Sequence, residues 1–82
     1  MSFDNIAKAV KEAREQKGLT QDQLSKSLGY DNGQFISNVE RGKCSVPIKK
    51  IKKLAKKTDT TVGDFVGSMV LDYTEKLLKA VK

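Results

Sequence analysis

Apolar residues in this chain recur at intervals of three and four, and no β-branched run alternates with period two. That spacing gathers them on one face of a helix and leaves no half-buried strand from which to build a sheet. Pro47 is the lone proline, and glycines at 18, 29 and 42 divide the helical pattern into short segments. The expected fold is therefore all-α.

Each segment carries its own start or stop signal. Phe3, Ile6, Ala7, Val10 and Ala13 form an amphipathic first helix that Gly18 ends. Thr20-Gln21-Asp22-Gln23 has the form of a capping box, so a short helix should begin at Gln21, turn Leu24 and Leu28 inward and stop at Gly29. After Tyr30, either Asp31 or Asn32 can cap a third helix. Its apolar positions are Phe35, Ile36 and Val39, its opposite face carries Gln34, Ser37, Asn38 and Arg41, and Gly42 ends it. Ile48, Ile51, Leu54 and Ala55 give a fourth, narrow stripe, with Pro47 tolerated in a first turn. From a cap at Thr61, the residues Val62, Phe65, Val66, Met69, Val70, Tyr73, Leu77 and Val81 predict a last helix about 30 Å long if it is continuous. Gly63 and Gly67 each weaken that helix by about 1 kcal/mol relative to Ala, so a break there is the alternative.

A chain of 82 residues makes one small domain that buries only roughly 60 to 65% of its unfolded surface, and a partner chain would add stability. The expected division is a single domain over 1–82, with a core over about 3–66 and a C-terminal helical extension over about 67–82. Sixteen Lys and Arg stand against ten Asp and Glu, and residues 30–60 alone hold eight basic and three acidic groups. Such a patch concentrates polyanions nearby. Cys44 is the sole cysteine and histidine is absent, which excludes an intrachain disulfide and a cysteine-based zinc site; no metal or cofactor is expected. No apolar run approaches a membrane span, and the start MSFDN lacks the basic and apolar regions of a signal peptide, so the expected setting is soluble and cytoplasmic.

Two short helices joined by a tight turn, followed by a basic segment, are the parts of a helix-turn-helix. The stretches "REQKGLTQDQLSKSLG" and "ISNVERGK" resemble the lambda-repressor/Cro-like, or XRE-type, helix-turn-helix domains, with the likeness running from about Ile6 to Phe65. The resemblance implies a compact five-helix domain with an extended C-terminal helix, double-stranded DNA as partner, and the helix around 33–41 in the major groove. By the same frame Gln21 would bind a DNA phosphate, Arg14 and Glu40 would form a structural ion pair, and Asn32, Gly33, Gln34, Ser37 and Asn38 would face the bases. Gln and Asn suit that place, because their amides can pair with both N6 and N7 of adenine. Arg41, Lys43 and Lys49 stand where phosphate contacts are expected, whereas Lys53, Lys56 and Lys57 read as solvated. Six residues separate Gly29 from Ile36, one more than the family's usual spacing, which shifts the start of the third helix. Phe35 has two readings, the edge of the core or a contact with a thymine methyl.

The function this implies is a sequence-specific transcriptional regulator that binds an inverted-repeat operator as a homodimer, with Tyr73, Leu77, Leu78 and Val81 at the dimer interface. The alternative is an antitoxin-like or antirepressor module whose C-terminal helix binds a partner protein. An enzyme is not expected: without histidine or clustered carboxylates the usual acid, base and metal sets are missing.

Overall fold

In the computed structural model, which describes residues 3–81, the chain forms five helices: α1 (Asp4–Gln16), α2 (Gln21–Ser27), α3 (Gln34–Glu40), α4 (Ile48–Lys57) and α5 (Val62–Ala80). Met1, Ser2 and Lys82, included in the expected 1–82 domain, lie outside the described residues. The fold is all-helical, and among the described residues no strand occurs.

The first four helices end alike. Gly18, Gly29 and Gly42 adopt positive φ, and at the end of α4 the same left-handed position is held by Asp59 at φ 53°. In each case the next amide reaches back to the carbonyl five residues earlier, as when Lys43 N–H donates to Asn38 O at 3.0 Å. This satisfies carbonyls that a helix end would otherwise leave bare. Asp59, which lacks the freedom of glycine, has its carboxylate paired with the ammonium of Lys17.

At the start of α2, Thr20 Oγ1 accepts from Gln23 N–H at 3.0 Å while Gln23 Oε1 accepts from Thr20 N–H at 2.9 Å, a complete capping box. Thr61 caps α5 by accepting from Asp64 N–H. The start of α3 differs from the expectation of a cap at Asp31 or Asn32. Gly33 occupies the cap position, and the Asn32 carboxamide accepts from Gln34 N–H at 2.9 Å.

One core joins the helices. Ile6, Val10, Leu24, Leu28, Ile36, Val39, Leu54 and Phe65 are all within 1% of complete burial. Each such side chain removed from water contributes about 1.5 to 3 kcal/mol before entropy is counted. Val46, in the loop before α4, joins this core although it falls on no helical stripe. Ile48 does the opposite: expected on the inward stripe of α4, it is 83% exposed, because at the first residue of the helix it borders an open groove between α4 and α5 instead of the core.

α5 is continuous through Gly63 and Gly67. Phe65, Met69 and Asp72, spaced i, i+4, i+7, form the face that meets the body. Asp72 is buried, and its carboxylate accepts from Asn5 N–H at 2.8 Å, Asn5 Nδ2 at 3.0 Å and Ile6 N–H at 3.0 Å. Phe3, at the cap position of α1, offers no side-chain hydrogen bond. Asp72 therefore caps α1 from 67 residues away, and places negative charge at the positive end of that helix.

Candidate nucleic-acid interface

α2 and α3 meet through a close backbone approach and an ionic lock. A Cβ on Gly33 would stand 3.0 Å from the backbone N of Asp22, tighter than nearly all such contacts, so a side chain there would push the start of α3 a few tenths of an ångström off the first turn of α2. Behind it, Arg14 Nε donates to Glu40 Oε2 at 2.6 Å and Nη2 to Glu40 Oε1 at 3.1 Å, while Nη1 donates to Leu19 O at 2.7 Å. The Gln21 carboxamide adds a third tie, donating from Nε2 to Glu40 Oε1 at 3.0 Å. One carboxylate, 4% exposed, therefore links α1, α2 and the end of α3. The hydrogen bond to Glu40 raises the pKa of Arg14 above its ordinary value, against the opposing effect of burial.

The third helix exposes a polar row. Gln34, Asn38 and Arg41 are spaced i, i+4, i+7 and lie one above another, with Ser37 beside them. Gln34 Nε2 donates to Asn38 Oδ1 at 2.9 Å, and Arg41 Nη2 donates to the same oxygen at 2.9 Å. Gln34 and Arg41 are exposed; Ser37 and Asn38 are half-buried. Asn32 is exposed at the head of this row, and Gly33 is half-buried beneath it.

Phe35 belongs to the edge of the core. Its ring is half-buried and stacks on Tyr30 with centroids 4.0 Å apart and planes 8° from parallel. Lys50 closes the far side of this stack, its Nζ 5.3 Å from the Tyr30 ring centre and donating to Leu28 O at 2.7 Å. One ring face of Phe35 is thus occupied within the fold.

Lys43 and Lys49 follow the polar row in sequence and are exposed; among the described residues neither forms an ion pair. Lys52, Lys53, Lys56 and Lys57 are also exposed. These are the parts a nucleic-acid surface uses: a short helix with hydrogen-bonding side chains outward, followed in the chain by exposed positive charge.

A second exposed surface is apolar. Val62, Val66, Val70, Tyr73, Leu77 and Val81 fall within about 100° of arc on α5 at 100° per residue, and all are at least 43% exposed. With Ile48 and Met69, the upper part of this row lines a groove of about 600 Å³ between α4 and α5. Tyr73, Leu77 and Val81 are therefore brought onto one line. Leu78 is 61% exposed but lies with Leu71 on a different side of the helix. The sequence put Val62, Val66 and Val70 on the apolar stripe of the last helix but singled out Tyr73, Leu77, Leu78 and Val81 for the interface, and it placed Ile48 in the core stripe of α4.

Two short helices locked across a tight turn, the second presenting polar side chains outward, define the helix-turn-helix class. A helix-turn-helix family model matches residues 10–65. The chain belongs to the XRE-type, lambda-repressor/Cro-like helix-turn-helix family, a family of DNA-binding regulators. Among curated proteins none matches it at a significant level. No described helix is long and apolar enough to cross a membrane.

Proposed function

We propose that this DNA-binding regulator acts on an inverted-repeat operator as a homodimer in the cytoplasm. The observation that carries the reading is the polar row of α3, followed in the chain by exposed Lys43 and Lys49, which form no ion pair among the described residues. In this reading α3 enters the major groove with Asn32, Gln34, Ser37 and Asn38 toward the bases, Gly33 lets the start of the helix approach by its backbone, and Arg41, Lys43 and Lys49 stand near the phosphates. Gln21 contributes a phosphate contact from the start of α2, with its side chain already held by Glu40.

Pairing is supported by the apolar surface. Soluble monomers rarely leave a continuous apolar strip along a whole helix, because its hydration is costly. The proposed seam contains Tyr73, Leu77 and Val81, flanked by Leu78, and extends to Val62, Val66, Val70 and Ile48. Two copies joined this way would present two α3 helices to successive major grooves, about 34 Å apart. The same strip also supports the reading in which α5 receives a different protein. A chain that remains monomeric on its operator would favour that second reading.

Two substitutions separate the proposed contact types. Gln34→Ala is expected to cost about 1 to 3 kcal/mol in operator binding and to relax preference at one base position. Lys43→Ala should weaken all sequences alike and lower the slope of log K against log salt by about 0.9 per chain. Titrations of specific and scrambled duplexes at several salt concentrations check both. An unchanged base preference in Gln34→Ala would place a different part of the molecule in the groove.

A further inference from the structure

We propose that Gln34, Asn38 and Arg41 read the major groove as one hydrogen-bonded unit, in which Arg41, acting through Asn38, orients the Gln34 carboxamide to select adenine. This rests on the DNA-binding role proposed for α3.

The polarity of the unit follows from Arg41. A guanidinium only donates, so the Asn38 group 2.9 Å from Arg41 Nη2 must be the oxygen, Oδ1. Gln34 approaches that same oxygen at 2.9 Å and must offer its nitrogen. Turning the Gln34 carboxamide over would set Oε1 against Asn38 Oδ1, acceptor against acceptor. The chain of bonds thus decides which end of each amide is spent within the protein and which is left to present.

What Gln34 presents is Oε1 together with its second N–H. Adenine offers the complement in the major groove, a donor at N6 beside an acceptor at N7. Guanine offers two acceptors, N7 and O6, and would bring O6 against Gln34 Oε1. An unrestrained glutamine can turn over to suit different edges; one tied to Asn38 cannot do so without losing its bond. Arg41 is thus a positioning residue, whose contribution to selectivity is separate from any attraction of its charge to phosphate.

The test measures binding of the wild type, Gln34→Ala, Arg41→Ala and Arg41→Lys to duplexes carrying each of the four bases at every position of the preferred site. Wild type should favour adenine at one position per half-site by about tenfold or more. Gln34→Ala and Arg41→Ala should both reduce that preference to about threefold or less, with the other positions unchanged. Arg41→Lys should retain most of it, because an ammonium can still donate to Asn38 Oδ1. Circular dichroism melts serve as the folding control, since both altered side chains are exposed. The proposal is overturned if Arg41→Ala weakens every duplex equally and keeps the adenine preference. It is also overturned, with DNA selectivity intact, if no adenine position responds to Gln34→Ala. Equal wild-type binding to all duplexes would overturn the underlying role of α3 as well.

Discussion

Glu40→Ala is expected to lower the stability of the domain by about 3 kcal/mol, the low end of what losing one member of a buried ion pair costs. The low end applies because the Arg14 side chain is 12% exposed and keeps its bond to the Leu19 carbonyl. The change strips two hydrogen bonds from the guanidinium and one from the Gln21 carboxamide. For a chain of this size, a loss of that order lowers Tm by roughly 12 to 24 °C. Urea denaturation and thermal melts would measure it. Glu40→Gln keeps the shape and some of the bonds, so its cost should be smaller. Because Arg14 has its pKa raised in the folded state, the stability from its side of the pair is fully present below the ordinary arginine value and is lost only as pH climbs through the folded one. The arginine contribution should therefore be constant across the neutral range.

Asp72→Ala should produce the next largest effect, also about 3 kcal/mol, by leaving two backbone N–H groups of α1 without their acceptor and removing a charged cap. Its consequences reach further than stability. Asp72 is the last buried residue of α5, and the helix beyond it carries Tyr73, Leu77 and Val81. Releasing α5 from α1 should blur the apolar line and weaken self-association along with operator binding. Asp72→Asn, which can still accept through one oxygen, should fall between the wild type and the alanine variant. Denaturation curves and sedimentation of the three proteins would check the order. Equal stability of all three would show that α5 is held by Phe65 and Met69 alone.

The helices were legible in the sequence because their signals are local. Thr20 and Gln23 lie three residues apart, and the glycines that end α1, α2 and α3 need only their own backbone conformation. Asp59 at the end of α4 was harder to read, since a left-handed stop at a residue other than glycine leaves no clear mark in the sequence. What escaped entirely depends on long-range placement. Nothing near Asp72 indicates that it caps a helix 67 residues earlier. Val46 enters the core from a loop, outside any periodicity, and Ile48 leaves it because the first turn of α4 borders an open groove, which depends on how α5 packs across it. In the candidate interface, the residue types and the spacing of Gln34, Asn38 and Arg41 were visible, but their bonds to one another were not. The same holds for Gln21, whose tie to Glu40 appears only once α2 and α3 are packed.

In the proposed function α3 reads double-stranded DNA in a two-fold pair of chains. Enrichment of bound sites from random duplex DNA, with the mass of the complex measured on the winning sequence, tests it most directly. The expected winner is an inverted repeat with half-site centres about 10 base pairs apart, occupied by two chains. A pool that stays random after selection, or a single chain bound to a site without two-fold symmetry, would contradict it.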